Sequence, residues 1–337
     1  MRALIERLLA GSDLSGEEAA LLLEGLTDPS LDPAQAAAAL AGLRAKGETA
    51  EELRAFALGL RRMAVETGIP ADVAAVDVVG TGGDGSHSLN LSTGAALVAA
   101  AAGQPVVKHG NRSVSSRSGS FDVLSALGMG VPGAPPEAAR LFAETGFTYL
   151  FAPIYHPAMK AVAPVRRALG VRTIFNLAGP LANPASPPYH VVGAYSPSSA
   201  RMLAETLAGM PLRRAYVIHG APGWDEPTPV GPYLLLEVTP GKVEERTEDP
   251  ARFGLEPCSP DQLAGGDPHY NAAALLRVLE GERGPHRDAL LLGASLALRV
   301  TRRVPSPEQA LAAAAAAIDD GRALALVQRL AAEAANV

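Results

Sequence analysis

Four glycines and one acid follow an apolar segment near residue 76 and precede a run of small residues. Residues 76–93 read VDVVGTGGDGSHSLNLST, with Asp84 among the glycines. Glycines adopt positive φ and let consecutive backbone N–H groups converge on an anion, and the N-terminus of a following helix adds its positive end. The order therefore predicts phosphate binding. Because a carboxylate would repel a bare phosphate, Asp84 indicates a ligand that also carries hydroxyl groups or magnesium.

The same glycines, taken alone, also fit a tight turn between a strand and a helix. No lysine followed by serine or threonine comes after them, so a Walker-type nucleotide site is not predicted. The turn stays open as the alternative for residues 80–85 by themselves.

A second segment carries an unusual density of hydrogen-bond donors. Residues 106–127 read VVKHGNRSVSSRSGSFDVLSAL, which predicts a strand, a polar loop and a helix that begins near Ser120. The serines, the backbone amides, Lys108 and Arg112 could surround a pyrophosphate, with Lys108 as a point charge. A solvated loop with serine caps is the alternative. Two strand–loop–helix anion sites at one sheet edge are hard to explain as turns, which favours the binding site.

A third segment, residues 217–226, reads VIHGAPGWDE and ends in the adjacent acids Asp225 and Glu226. Neighbouring carboxylates can bind Mg²⁺, which keeps several waters and takes its remaining ligands from substrate phosphates. Acid pairs are also common on protein surfaces, so an exposed pair without a ligand is the alternative for these two residues alone.

The residues before these segments contain helix signals and no strand signals. Ser15 and Thr49 begin capping boxes, and Asp32 followed by Pro33 is typical of a helix start. Apolar residues recur at helical spacing between these caps. The first 66 residues are therefore predicted to form a small helical domain.

From about residue 72, short β-rich runs alternate with helical stretches. This alternation predicts an α/β fold with a central, mostly parallel sheet flanked by helices, and ligands of such sheets bind beyond the carboxyl ends of the strands. We predict a helical domain over residues 1–70, with an added helical segment near 158–180, and an α/β catalytic domain over residues 72–337. The predicted strands are residues 76–79, 106–107, 149–151, 191–195, 216–218 and 234–238.

Composition narrows the class of protein. The chain has 337 residues, of which 48% are hydrophobic and 19% are charged, and its net charge is −6. The acidic balance argues against general nucleic-acid binding. The single cysteine, Cys258, excludes an internal disulfide and fits a reducing compartment, so we predict a cytoplasmic protein. No apolar run approaches the roughly 20 residues of a membrane span.

Taken together and in order, GTGGD with NLST, KHGNR with SSRSGS, and HG with DE resemble the anthranilate phosphoribosyltransferase family. The resemblance covers essentially the whole chain, including NLAGPLANP at residues 176–184. It implies an enzyme of tryptophan biosynthesis that transfers the 5-phosphoribosyl group of phosphoribosyl pyrophosphate (PRPP) to the amino group of anthranilate. It further implies two Mg²⁺ ions, small-molecule partners only, and a homodimer.

The resemblance also implies which residues form the site. Lys108, Asn111 and Arg166 would be catalytic, and Gly80, Asn111 and Arg166 would meet anthranilate. Mg²⁺ would be held by Ser92, Asp225 and Glu226. PRPP would be bound by Gly80, Gly83, Asp84, Ser88, Asn90, Leu91, Ser92, Thr93, Lys108, His109, Gly110, Asn111, Arg112, Ser113, Val114, Ser115, Ser116 and Ser120.

Other interpretations stay open at this point. Read without the resemblance, Arg166 and Arg167 fit a solvated helix face. A pyrimidine nucleoside phosphorylase is the nearest enzyme alternative, and the loop around Asp84 with the acid pair argues against it. A non-catalytic relative that binds nucleic acid is the other alternative, and it would need an extended basic face.

Overall fold

The structure, a computed structural model, describes residues 1–112 and 117–335. It begins with the predicted helices, whose starts are set by the predicted caps. The side chain of Ser15 accepts a hydrogen bond from the N–H of Glu18 at 3.3 Å, and that of Thr49 accepts one from the N–H of Glu52 at 3.2 Å. These helices are α1 (Arg2–Leu9), α2 (Gly16–Thr27), α3 (Pro33–Lys46) and α4 (Ala50–Arg62).

The described residues contain one seven-stranded sheet, with strand order β3-β2-β1-β4-β5-β6-β7. The first five strands in the chain run parallel, and β6 and β7 are antiparallel to their neighbours. The predicted, mostly parallel sheet is confirmed. The strands are β1 (Val76–Gly80), β2 (Val106–Gly110), β3 (Phe147–Phe151), β4 (Tyr189–Gly193), β5 (Arg214–His219), β6 (Tyr233–Thr239) and β7 (Lys242–Glu248).

Helices cover both faces of the sheet. The chain returns to the N-terminal helices at α9, which packs against α2 and α3. The helices after α4 are α5 (Leu91–Ala101), α6 (Ser120–Ala126), α7 (Pro135–Thr145), α8 (Ala152–Tyr155), α9 (Met159–Leu169), α10 (Ile174–Ala178), α11 (Pro197–Ala208), α12 (Pro268–Leu279), α13 (Pro285–Val300), α14 (Pro307–Asp319) and α15 (Arg322–Ala335).

Adjacent residues of the central strands contribute to different cores. On β4, Val191 belongs to the core formed with α5 and α12–α15, whereas Val192 belongs to the core formed with α1–α4 and α9–α11. Successive side chains of a strand point to opposite faces, so a strand buried on both faces is mostly apolar. This explains why the parallel strands read as largely apolar runs, in which a buried polar residue such as Asp77 or Lys108 is the exception.

The edge strand β7 was not predicted from the sequence. Its sequence is KVEERTE, in which Val243 is the sole apolar residue, so it lacks the apolar alternation that marks a strand. Charged side chains on an edge strand discourage pairing with another chain. In the described part of the chain, no helix combines the length and apolar character that crossing a membrane requires.

The order of the strands creates a crevice beside β1. The chain passes from β1 to β2 and β3 on one side, and then to β4 and β5 on the other, so the direction of strand order changes between β1 and β4. In open α/β sheets ligands bind at such a switch point, outside the carboxyl ends of the strands. Gly80 and Gly193 are paired there, at the ends of β1 and β4.

Candidate active site

The glycine loop leaves β1 at the switch point and leads into α5. Gly82 and Gly83 have φ values of 64° and 70°, in the left-handed region that side chains with a Cβ rarely adopt. The N–H of Gly82 donates to Oδ2 of Asp225 at 2.6 Å. The loop therefore meets the acid-bearing segment between β5 and β6, which is 143 positions away in the sequence.

Asp225 requires glycine at both strand ends beneath it. A Cβ on Gly80 would lie 2.4 Å from Oδ2 of Asp225, and a Cβ on Gly193 would lie 1.7 Å from its carbonyl oxygen. Such distances are far shorter than a van der Waals contact. Because Gly80 and Gly193 have no Cβ, Asp225, in the segment that follows β5, can lie directly against the ends of β1 and β4.

Three carboxylates converge on this crevice. Oδ2 of Asp84 accepts a hydrogen bond from the N–H of Asp225 at 3.2 Å, and Oε1 of Glu226 accepts one from the N–H of Ser92 at 3.0 Å. Burial, reinforced by the charge of Asp84, raises the pKa of Asp225 to about 7. Burial and the charge of Asp225 raise the pKa of Glu226 to about 8. The fold therefore holds Asp225 and Glu226 where burial and neighbouring acids disfavour their ionised forms.

Lys108 is a cation whose charge acts on these acids. It is 2% exposed on β2, and its Nζ donates to the carbonyl oxygen of Val78 and, at 3.3 Å, to Oγ of Ser92. Burial lowers the pKa of Lys108, and the negative charges of Asp77, Glu226 and Asp225 oppose that shift. The ammonium group thus contacts β1 and the first turn of α5, within electrostatic reach of the acid pair.

The donors at this crevice suit Mg²⁺ better than a softer metal, because they are carboxylate and hydroxyl oxygens. Within residues 1–112 and 117–335, no group of three or more His, Cys, Asp or Glu side chains is arranged to hold a metal ion by itself. Mg²⁺ commonly binds through one or two carboxylates plus water and substrate phosphates. The adjacent carboxyl groups of Asp225 and Glu226, whose ionised forms a cation would stabilise, fit an ion held in that shared way.

The second predicted loop lies beside the first, after β2. Oγ of Ser120 lies 2.9 Å from the hydroxyl of Tyr149 and 3.3 Å from the carbonyl oxygen of Asn111, to which it donates. The guanidinium of Arg112 lies over the ring of Phe121, 4.4 Å from its centroid. The structure thus brings together the two ends of this loop. The predicted PRPP residues Ser113, Val114, Ser115 and Ser116 lie outside the described residues.

Arg166 belongs to a different element from the two loops. It lies on α9, with its guanidinium 5.1 Å from the ring centroid of Phe175. Burial lowers its pKa, and no described residue forms an ion pair with it. No hydrogen bond among the described residues links it to Gly80 or Asn111. The side chain is a partly buried cation without a carboxylate partner in that part of the chain.

Asp77 was not singled out in the sequence, yet it supports the ends of the strands. Its Oδ1 accepts from the N–H of His109 at 3.2 Å, and its Oδ2 accepts from Nδ2 of Asn183 at 2.8 Å. Nδ2 of Asn183 also donates to the carbonyl oxygen of Val107 at 2.9 Å. Burial raises the pKa of Asp77 to about 6, against the opposing charge of Lys108. The sequence signal that could have identified Asp77 is an acidic residue inside an otherwise apolar strand.

Arg172 is a second residue that the sequence did not mark. Its guanidinium donates to the carbonyl oxygen of Gly83 and lies 3.9 Å from the ring centroid of Tyr195. The N–H of Tyr195 in turn donates to Oγ1 of Thr81 at 3.2 Å. The start of the glycine loop is therefore held from the side of β4 and α10.

Two histidines pack together below the second loop. The rings of His109 and His156 meet edge to face with centroids 5.1 Å apart, and both side chains are buried. Burial lowers the pKa of His109 to about 3 and that of His156 to about 4. Both rings are therefore neutral at physiological pH, and neither supplies a positive charge to the site.

Gly80, Gly82 and Gly85 also match the spacing G-x-G-x-x-G of dinucleotide-binding loops. In those proteins the glycines open the helix directly, so that its N-terminus faces the pyrophosphate. Here α5 begins only at Leu91, and residues 86–90 intervene. The local structure therefore differs from a dinucleotide-binding turn.

The sequence matches two family models that together span most of the chain. The description "Glycosyl transferase family, helical bundle domain" matches residues 2–64, and "Glycosyl transferase family, a/b domain" matches residues 72–324. Among curated proteins, an anthranilate phosphoribosyltransferase of Pelotomaculum thermopropionicum is 44% identical over 326 residues, which cover 97% of this chain and 94% of that relative.

Solved structures show the same fold. The anthranilate phosphoribosyltransferase of Thermus thermophilus superposes with a TM-score of 0.92 at 39% identity, covering 98% of this chain and 99% of that one. The enzyme of that name from Saccharomyces cerevisiae, in complex with PRPP and Mg, gives a TM-score of 0.88 at 25% identity and covers 99% and 98% of the two chains.

Proposed function

The chain belongs to the anthranilate phosphoribosyltransferases of the glycosyl transferase family, and we propose that it transfers the 5-phosphoribosyl group of PRPP to the amino group of anthranilate. The products are N-(5-phosphoribosyl)anthranilate and pyrophosphate, as in tryptophan biosynthesis. The relatives favour this reaction over that of a pyrimidine nucleoside phosphorylase.

One observation in this chain carries the proposal: a cluster of buried acids lies against a glycine loop at the switch point of the sheet. Asp225 accepts from the N–H of Gly82, and Glu226 accepts from the N–H of Ser92. Loop amides alone would suit a free phosphate, and acids alone would suit a metal. Their combination suits a phosphorylated ligand that arrives with Mg²⁺.

We propose that PRPP binds across both loops, through residues 80–93 and 108–120. Two Mg²⁺ ions are proposed, with Asp225, Glu226 and the hydroxyl of Ser92 as the protein ligands. The S. cerevisiae relative was solved with PRPP and Mg. When bound, Mg²⁺ would neutralise charge on the pyrophosphate.

Lys108 is proposed to stabilise the leaving group. Breaking the bond between ribose C1 and the pyrophosphate oxygen develops positive charge on the ribose and negative charge on the pyrophosphate. A fixed ammonium group in a buried site stabilises such developing charge without reorganisation. The hydrogen bonds of Lys108 to the carbonyl of Val78 and to Ser92 hold it at the edge of the crevice.

Anthranilate is proposed to meet Gly80, Asn111 and Arg166. The partly buried guanidinium of Arg166 can pair with the anthranilate carboxylate in two hydrogen bonds. Asn111 would orient the amine, which is a competent nucleophile once its lone pair faces ribose C1. These residues would therefore act by positioning, and no side chain is assigned as a general base.

Three broader features are also proposed. The helical domain would span residues 1–70, with the segment near 158–180 added to it, and the catalytic domain would span residues 72–337. A homodimer and a cytoplasmic location complete the proposal. Light scattering of the purified protein tests the dimer, because a particle of one chain's mass would exclude it.

The activity is tested by following the fluorescence of anthranilate in the presence of PRPP and Mg²⁺. We expect anthranilate to be consumed and pyrophosphate to be released in equal amounts, and neither change without PRPP. A parallel reaction with a pyrimidine nucleoside and inorganic phosphate tests the phosphorylase alternative. A folded protein that leaves anthranilate unchanged would overturn the assignment.

A further inference from the structure

The second half of the glycine loop rests on a distant turn of the chain. The N–H of Leu89 donates to the carbonyl oxygen of Leu263 at 3.0 Å, and the N–H of Gly265 donates to the carbonyl oxygen of His87 at 2.8 Å. These two bonds form a short antiparallel bridge centred on Ser88. The loop backbone is thus fixed from outside its own strand and helix.

Gly265 lets the two backbones come this close. A Cβ at this position would lie 2.5 Å from the carbonyl oxygen of Ser88 and 2.8 Å from the backbone nitrogen of Leu89. Both neighbours are backbone atoms, which cannot turn aside as a flexible side chain could. The turn before α12 is therefore shaped to contact the loop.

Asn271, on the first turns of α12, extends this support with a chain of side-chain hydrogen bonds. The N–H of Gly266 donates to Oδ1 of Asn271 at 2.7 Å, and Nδ2 of Asn271 donates to Oδ1 of Asn90 at 2.8 Å. Nδ2 of Asn90 then donates to the carbonyl oxygen of Ser118 at 3.0 Å. We name these four residues the amide relay.

The direction of the amide relay is fixed at its start. A backbone N–H can only donate, so Gly266 forces the oxygen of Asn271 to face it and the NH₂ group of Asn271 to face Asn90. Asn90 must then present its own oxygen to Asn271 and its NH₂ group to Ser118. The orientation of one buried amide thereby sets the orientation of the next.

The amide relay joins the two substrate loops. Asn90 ends the glycine loop at the N-terminus of α5, and Ser118 lies in the second loop just before α6. Asn271 is 1% exposed, so it is enclosed by protein. We propose that Asn271 is a positioning residue, which acts through Asn90 to hold the two loops at the separation that PRPP requires. This inference rests on the proposed function.

Asn271→Asp tests the proposal with little change in volume. The carboxylate still accepts from Gly266, but it cannot donate to Asn90, so the Asn90 amide must turn and bring its oxygen against the carbonyl of Ser118. We expect the Kd and KM for PRPP with Mg²⁺ to rise by about 10-fold or more, as for loss of a buried hydrogen bond, while the KM for anthranilate stays within about twofold. An unchanged Kd for PRPP would overturn the proposal.

A double-mutant cycle with Asn90→Ala separates positioning from general damage. Without the Asn90 amide there is nothing for Asn271 to orient, so we expect Asn271→Asp to change PRPP binding less than about twofold in that background. Independent, additive losses would overturn the proposal. If Asn271→Asp does not fold, Asn271→Ala takes its place in the same cycle, because it also removes the donor to Asn90.

Calorimetry with PRPP and Mg²⁺ keeps this test distinct from that of the proposed function. A wild-type protein that binds PRPP but does not consume anthranilate would contradict the proposed reaction and leave the Kd comparison valid. Equal weakening of PRPP and anthranilate binding, together with a lower melting temperature, would show a structural role only and would overturn the proposal.

Discussion

Two acidic regions have different surroundings: one lies on the edge strand β7, and the other lies at the switch point between the central strands β1 and β4. Glu248, on β7, accepts two hydrogen bonds from Arg299 at 2.6 and 2.8 Å, one from Tyr233 at 2.7 Å and one from Arg246 at 3.0 Å. Burial by itself would raise the pKa of Glu248, but the hydrogen bonds and charge of Arg299 outweigh it and hold the pKa at about 2.

Asp225 and Glu226 at the switch point have the opposite balance. Burial raises the pKa of Asp225 to about 7 and that of Glu226 to about 8, and the nearby charge of Asp84 contributes to both increases. Both regions are acidic and shielded from water, so burial alone does not explain the contrast. Arg299 and Arg246 balance the negative charge of Glu248. The acids at the switch point instead have strongly raised pKa values, which in a crevice are typical of functional sites.

The contrast predicts opposite effects on turnover and stability when one carboxylate charge is removed from each region. The largest effect is expected for Asp225→Asn, in which the side chain can still accept a hydrogen bond from the N–H of Gly82 but carries no charge. Turnover with Mg²⁺ should fall by about 10²–10³-fold, as when a group that stabilises transition-state charge is lost. The melting temperature of the Mg²⁺-free protein should rise, because the fold disfavours the ionised form.

Asp72→Asn serves as the control for Asp225→Asn, since Asp72 is exposed and lies outside the crevice. Steady-state kinetics and thermal melting of both variants check the prediction. Full turnover in Asp225→Asn, or a large fall in its melting temperature, would remove the contrast with Glu248.

Glu248→Gln should have the reverse outcome. Removing the negative charge leaves Arg299, which is 4% exposed, buried beside Arg246 without its counter-ion. Breaking a buried pair in this way costs about 3 kcal/mol in the free energy of unfolding. Turnover per folded molecule should stay unchanged, because Glu248 lies on the antiparallel edge of the sheet.

Urea titration measures the loss, with Glu244→Gln as the matched control on the same strand. Glu244 is exposed and pairs with exposed Lys242, so its variant should keep the wild-type midpoint. If the two variants unfold at the same urea concentration, the network around Glu248 is not the source of stability that its geometry suggests.

The sequence predicted elements whose causes are local. Capping boxes at Ser15 and Thr49, apolar strands and the glycine loop each depend on a few neighbouring residues, and the structure has them where they were predicted. The charged strand β7 was missed because it is stabilised by contacts with β6 and α13. It therefore forms without the local apolar pattern from which a strand is predicted.

The supports of the candidate site could not be predicted, because they join distant positions. Asn90 and Asn271 are 181 positions apart, and Asp77 and Asn183 are 106 positions apart. Nothing in either neighbourhood indicates which buried amide or acid will meet which. The convergence of Asp225 on the glycine loop was expected from the resemblance, whereas its contact with Gly82 is visible only in the fold.

Arg166 and Arg299 extend the comparison to the cations. Arg299 has its carboxylate in the fold, whereas Arg166 has none among the described residues and is proposed to receive that of anthranilate. Arg166→Ala should raise the KM for anthranilate by about 10–100-fold, the loss expected for a charged hydrogen-bonded pair, and leave the KM for PRPP unchanged. Neighbouring Arg167, which is exposed, provides the matched Ala control. Equal KM values for anthranilate in both variants would exclude Arg166 from its binding.

The smallest expected effect is a pH dependence that belongs to Glu248. Its pKa is about 2 in the folded protein and near the ordinary 4.5 in the unfolded chain, so its stabilising contribution is present above pH 4.5 and is lost as the pH falls towards 2. Tyr233, Arg246 and Arg299 face this carboxyl group, and the two arginines stay charged throughout that range. Between pH 5 and pH 3, the difference in unfolding free energy between wild type and Glu248→Gln should therefore shrink by roughly 1–2 kcal/mol. Urea titrations at the two pH values measure it, and a difference that stays constant would mean that Glu248 does not titrate in the folded protein as its partners imply.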